Sequence, residues 1–177
     1  NTSIKWNGET YPFAEWNQDQ TLASAMASSV NWYFQTIDKK LEKERITSYL
    51  EQINYGNKRI TGDLSSYWME SALKISPVEQ VELLIDLYNN NFDFSIENIT
   101  AVKNALCISS SDTYALYGKT GTGRVNEKDI SGWFIGYVET TDTTYFFATN
   151  IRANTNATGS HAAEITFDIF KNLNIIT

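Results

Sequence analysis

The feature that most constrains this chain is a change of apolar period part-way along it. Up to about Leu106 the apolar residues recur at spacings of three and four. From Thr113 onward they alternate, so a helical region over about 19–108 should precede a sheet and a closing helix over about 113–173. Leu22, Met26, Val30, Tyr33, Ile37 and Leu41 predict one amphipathic helix, with Asp19 or Thr21 able to cap it. Ile46, Tyr49, Leu50 and Ile53 predict a shorter one that stops at Gly56. Ser76-Pro77-Val78-Glu79 combines a capping serine, a proline at the first helical position and a glutamate able to reach back. The helix it opens should carry Val78, Val81, Leu84, Ile85 and Tyr88 on one face. Ser95 should cap another, with Ile96, Ile99, Val102 and Leu106 as its apolar side.

In the second half, Tyr114–Lys119, Trp133–Glu139 and Thr144–Asn150 read as strands. The short polar turn Thr140–Thr143 joins the last two into an antiparallel hairpin. A closing helix should show Ala162, Ile165, Ile169 and Leu173 on one stripe. The pattern predicts an α/β (α+β) fold, a helical subdomain plus part of an antiparallel sheet. Three strands make an incomplete sheet, so more are expected from polypeptide before Asn1.

Composition removes several kinds of function. With 14 basic and 21 acidic residues the net charge is −7, and no Lys/Arg cluster is long enough to track a phosphate backbone, so no nucleic-acid partner is expected. The chain has one cysteine, Cys107, and one histidine, His161, too few for a His/Cys metal site or an internal disulfide, and no metal is expected. Its longest apolar runs fall short of a bilayer's thickness, so no membrane contact is expected from this segment. Chemistry here should rest on Ser, Lys, Thr, Asn or a carboxylate.

Two short motifs fit that restriction. Lys119-Thr120-Gly121-Thr122-Gly123 ends a predicted strand. Lys119 supplies positive charge, the Thr120 and Thr122 hydroxyls can bind a carboxylate, and Gly121 and Gly123 leave room for a ligand along the strand edge. A Lys-Thr-Gly can equally arise by chance at any strand-to-turn junction. Ser29-Val30-Asn31 lies on the first helical stretch. Ser29 could shuttle a proton there, and Asn31 offers both a donor and an acceptor. The same triplet can be plain helix-surface polarity.

Taken with Lys5-Trp6-Asn7-Gly8, Trp16-Asn17-Gln18-Asp19, Tyr55-Gly56-Asn57, Tyr67-Trp68, Lys74-Ile75-Ser76, Gly132-Trp133-Phe134-Ile135-Gly136 and Tyr145-Phe146-Phe147-Ala148, these motifs carry a resemblance over essentially the full length. The chain resembles class D (oxacillinase-type) serine β-lactamases and the extracellular sensor domains of BlaR-type β-lactam receptors. The resemblance implies a penicillin-recognising serine transpeptidase-like fold, with residues 1–177 as the C-terminal major part of one such domain. It also implies that the nucleophilic serine and its lysine lie before residue 1, and that the lysine carries a CO2-derived carbamate, with no other cofactor. The one Ser-x-x-Lys here, Ser71-Ala72-Leu73-Lys74, follows Tyr67-Trp68, where the family has a structural segment, so Ser71 is expected to be non-catalytic.

By the same resemblance Ser29 matches the second-motif serine and Lys119 the third-motif lysine. The Thr122 N–H would complete an oxyanion hole with the nucleophile's own N–H. Trp68 matches the tryptophan that bonds the carboxylated lysine, and can equally be a core aromatic. Trp133 should pack the sheet near the substrate side. Two departures stand out. Asn31 replaces the valine usual in hydrolytic members, and an amide there favours an uncarboxylated lysine and slow deacylation. No arginine opens the closing helix, which leaves carboxylate binding to Thr120 and Thr122 with help from Arg152. The expected function is therefore β-lactam recognition, serine acylation and hydrolysis of penicillins and cephalosporins outside the cytoplasm. The alternative is a sensor that is acylated, held and signals β-lactamase induction. The expected partners are β-lactam antibiotics and the N-terminal part of the same domain.

Overall fold

The computed structural model describes residues 3–69 and 72–176; Ser71 lies outside the described residues. Helix α1 spans Leu22–Ala27 and is opened by Thr21, whose hydroxyl accepts from the Ser24 N–H while the Ser24 hydroxyl accepts from the Thr21 N–H. Thr21 is thus the cap, and the Asp19 carboxylate instead accepts from the Trp6 N–H at 2.9 Å. The helix does not run on through Val30 as its apolar period predicts. It stops at Ser28, and α2 begins afresh at Asn31 and extends to Gln52. A second interruption at Glu42 (φ 63°) separates the stripe ending near Leu41 from the one that starts at Ile46. Two clusters bury the apolar faces: Ala25, Val30, Trp32 and Tyr33 near the start of α2, and Ile46, Leu50, Ile60 and Tyr67 near its end.

Helix α2 ends four residues before Gly56. Asn54 takes the left-handed conformation (φ 49°), its N–H bonds the Glu51 carbonyl, and the Tyr55 N–H reaches back to Leu50. These two bonds satisfy orphan carbonyls of the last turn, as a glycine-terminated helix does. Gly56 is needed for a different reason. A Cβ there would lie 2.0 Å from the Lys74 carbonyl oxygen. Helix α3, Pro77–Tyr88, has the full reciprocal box between Ser76 and Glu79, and α4, Ile96–Leu106, is capped by Ser95.

Among the described residues the sheet has four antiparallel strands in the order β1-β2-β3-β4: Cys107–Ser110, Tyr114–Val125, Lys128–Thr140 and Thr144–Arg152. Strand β1 is absent from the sequence reading because it is exposed throughout and continues directly from α4, so no alternation or turn marks it. Asn126 and Glu127, both at positive φ, make the tight β2–β3 turn, and Thr140 N–H to Thr143 O at 2.9 Å closes the expected β3–β4 hairpin.

Helix α5, Gly159–Asn172, covers one face of this sheet over Leu116, Phe134, Val138 and Phe147. Burying side chains of that size contributes about 1.5–3 kcal/mol each. Its inward stripe is Ala162, Thr166 and Phe170, while Ile169 and Leu173 of the expected stripe are exposed. The polar Thr166 is tolerated inside because its hydroxyl donates to the Ala162 carbonyl at 2.8 Å and accepts from Thr149 at 2.7 Å.

Candidate active site

Lys119 lies mid-way along β2, half-buried, and its ammonium donates to the Ser29 hydroxyl at 2.5 Å and to the Thr120 carbonyl at 2.8 Å. Burial pushes this ammonium below the ordinary lysine range. Residues 90 apart in sequence are brought together here, one from the helical half and one from the sheet.

Ser29 is not helical, contrary to the sequence reading. It is the residue after the C-cap of α1, at φ 51°. Its N–H bonds the Met26 carbonyl and the Val30 N–H bonds Ala25, the paired closure that glycine usually supplies. A side chain in that region costs roughly 1–2 kcal/mol. The turn is held from outside by Trp16, whose indole N–H donates to the Ser28 carbonyl at 3.0 Å. Trp32 in turn donates to the Trp16 carbonyl at 3.0 Å. Sequence reasoning gave Trp16 no task beyond family likeness, and only its spacing from the Ser28-Ser29 pair could have suggested one.

The strand beside Lys119 has a free side. Strand β1 pairs only with Ala115, Leu116 and Tyr117, so among the described residues Gly118 to Val125 have no neighbour on that edge. Gly121 is exposed, and the nearest atom to a Cβ there is the Trp133 Cβ at 3.9 Å. Trp133 pairs with Gly121 in register and so shares the face of Lys119 and Gly121. Strand β2 thus has an unpaired edge beside Lys119, and Trp133 lies across from Gly121 on the neighbouring strand.

Thr120 and Thr122 project to the other face, toward the start of α5. The Thr122 hydroxyl accepts from the Gly159 N–H at 2.9 Å and retains its own proton to donate. Gly159 has no room for a side chain, since a Cβ would lie 2.8 Å from the Gly121 oxygen. Gly123 ends the regular pairing just before a bulge at Arg124. Arg152 pairs with Ser131, which pairs with Gly123, so it stands two strands away, about 10 Å across the sheet. Its Nε donates to Asn150 at 3.3 Å.

Asn31 opens α2 two residues after Ser29, partly exposed, and its amide makes no hydrogen bond with the described residues. Trp68 is elsewhere. Its indole N–H donates to Asp38 Oδ2 at 2.9 Å on the flank of α2. The structure therefore brings Ser29, Lys119 and Gly121 to one strand edge, with Trp133 one strand in on the same face, Thr120 and Thr122 on the other face, Trp68 on the flank of α2 and Arg152 two strands away. Among the described residues no group of three His, Cys, Asp or Glu could hold a metal ion, and no helix is long and apolar enough to cross a membrane.

Chemically, a lysine–serine hydrogen bond beside an unpaired strand edge can bind an anionic amide and pass a proton along a hydroxyl.

Known proteins share this organisation. The chain is 47% identical over 175 residues to the methicillin resistance mecR1 protein of Staphylococcus aureus, covering 99% of this chain but 30% of that protein's length. The solved C-terminal domain of the Bacillus licheniformis BlaR penicillin-receptor superposes with a TM-score of 0.94 at 44% identity, covering 100% of this chain and 72% of that one. The class D beta-lactamase BAT-2 gives 0.90 at 37% identity, covering 99% and 71%. The fold is that of penicillin-recognising serine transpeptidases, with sensor domains and class D β-lactamases both among its relatives. The penicillin-binding protein transpeptidase domain model matches residues 1–172, and the chain belongs to that family.

Proposed function

We propose that this chain is the larger part of a β-lactam-acylated serine domain of the sensor type, in which the acyl adduct is held rather than hydrolysed. The observation that carries acylation at this site is the 2.5 Å contact between Lys119 and Ser29 at the open edge of β2, and the choice of the sensor over the hydrolase rests on Asn31. A β-lactam carries an amide and a carboxylate, and the edge offers main-chain groups for the first. The Lys119 ammonium serves the second.

The nucleophilic serine belongs to polypeptide outside residues 1–177. Its Oγ bonds the lactam carbonyl carbon, the lactam C–N bond breaks, and the serine proton is relayed through Ser29 to the leaving nitrogen. The Thr122 N–H, with the nucleophile's own, receives the negative oxygen. Water is then slow to follow, because Asn31 puts an amide where a lysine carbamate needs a dry apolar wall. The domain acts outside the cytoplasm. A hydrolytic reading is favoured by the likeness to class D beta-lactamase BAT-2 and uses the same acylation.

The test takes this chain with the serine-bearing segment, a penicillin and a chromogenic cephalosporin. One equivalent of adduct persisting for hours by intact mass supports the sensor. Sustained turnover dependent on bicarbonate supports the hydrolase. No adduct at all refutes both.

A further inference from the structure

The break between α1 and α2 is bridged by one residue. Trp16, partly buried at the end of the short 3-10 turn Ala14–Trp16, donates its indole N–H to the Ser28 carbonyl at 3.0 Å, on one side of Ser29. Its own carbonyl accepts from the indole N–H of Trp32 at 3.0 Å, on the other side. Trp32 is the second residue of α2 and only 5% exposed, so the outer end of this chain of bonds is anchored in the core. The Tyr11 ring leans on both indoles, 5.6 Å from Trp16 and stacked on Trp32 at 6.5 Å. Asn17 ties the Tyr11 backbone down in turn, accepting from its N–H at 2.8 Å and donating to its carbonyl at 3.0 Å.

These bonds fix a side-chain direction. A peptide unit is rigid, so holding the Ser28 oxygen also holds the Ser29 nitrogen in the same plane. The Ser29 N–H bond to Met26 is long, at 3.3 Å, and would hold that plane weakly by itself. The next plane is held by the Val30 N–H, bonded to the Ala25 carbonyl at 2.8 Å. With the planes on both sides of its Cα set, Ser29 has little φ or ψ left to vary, and its Cβ points one way. The restraint matters because φ 51° is a conformation that an unrestrained serine leaves. Ser29 is exposed, so the aim of its hydroxyl at Lys119 rests on the backbone around it. Resting on the function proposed above, we propose that Trp16 and Trp32 are positioning residues that set the Ser29 hydroxyl against the Lys119 ammonium, and that they act on acylation only through Ser29.

The experiment is a double-mutant cycle in the complete domain, this chain with the serine-bearing segment, read by the acylation rate with a fluorescent penicillin. Trp16→Phe keeps a ring and loses the donor, and should slow acylation about tenfold, the worth of one hydrogen bond. In a Ser29→Ala background the same change should alter the rate by less than about twofold, because the hydroxyl it positions is gone. Trp32→Phe releases the Trp16 carbonyl and keeps the inner bond, so it should slow acylation by about threefold with the same dependence on Ser29. A fall in thermal stability alone would appear in both backgrounds and leave the cycle additive. Equal losses of rate with and without Ser29 overturn the inference, and so does a parent-like rate in folded Trp16→Phe. In the unsubstituted 15N-labelled protein the Trp16 indole proton should exchange with solvent at least about tenfold more slowly than a free indole. Exchange at the free rate overturns the inference even where Trp16→Phe does not fold. Absence of any adduct would refute the proposed function instead, while the exchange rate still reads the Trp16–Ser28 bond.

Discussion

Replacing Ser29 by glycine should make the protein more stable than replacing it by alanine, reversing the order usual at other positions. At φ 51° Ser29 stands where a Cβ crowds the following carbonyl, a cost of roughly 1–2 kcal/mol that alanine keeps and glycine loses. Glycine gives back about 0.5–1 kcal/mol through the greater freedom of its unfolded chain. Both variants lose the hydroxyl that accepts from Lys119, so that loss cancels between them. The net expectation is Ser29→Gly above Ser29→Ala by about 0.5–1 kcal/mol, or roughly 1–4 °C in Tm for a chain of this size. Differential scanning calorimetry of the two variants in parallel measures it. Acylation by a fluorescent penicillin in the complete domain supplies the functional half. Both variants should be slower by about 10²–10⁴-fold, the usual worth of a positioned proton carrier. Alanine melting at or above glycine would refute the left-handed turn. Either variant acylating within a few-fold of the parent would refute the relay role of the hydroxyl.

Gly159→Ala should destabilise by about 1–3 kcal/mol by urea melt, because the new methyl meets the Gly121 backbone oxygen at 2.8 Å and β2 must give way. Thr166→Val should cost about 1–3 kcal/mol in the same assay, since it removes the partner of the Thr149 hydroxyl inside the sheet–α5 layer. Glu139 accepts from Lys103 at 2.6 Å. Burial raises the Glu139 carboxyl, but the Lys103 bond and others outweigh it and hold the group below its ordinary 4.5. The folded state therefore binds this proton less readily than the unfolded one, so the stability it contributes is present above pH 4.5 and is lost as pH falls through the lower folded value. The pair is partly exposed, so Glu139→Gln should cost about 1 kcal/mol or less at neutral pH and flatten the acid limb of a stability–pH curve.

Local chemistry was legible in the sequence and distant pairing was not. The Ser76–Glu79 box and the Thr140–Thr143 turn are each set by four consecutive residues, and both appear as expected. The break at Ser29 was hidden because Met26, Val30 and Tyr33 keep helical spacing across it, and a left-handed serine carries no mark of its own. The inward stripe of α5 was misread because apolarity pointed to Ile169, whereas the hydrogen bonds of Thr166 let a polar side chain take the buried place. Lys119 and Ser29 could be paired beforehand only through family likeness. The contact between Asp38 and Trp68 spans 30 residues and has no periodic signature, so it was out of reach.

The junction at Leu106–Cys107, where α4 turns into β1, fixes how much of the β2 edge is left unpaired. Strand β1 begins opposite Tyr117 because the chain is still coiled one residue earlier. Had the coil ended a turn sooner, the extra extended residues would run on past Gly118 and zip the groove shut ahead of Lys119. How much of the β2 edge stays unpaired is thus set by where a helix stops, at a point away from both Lys119 and Ser29.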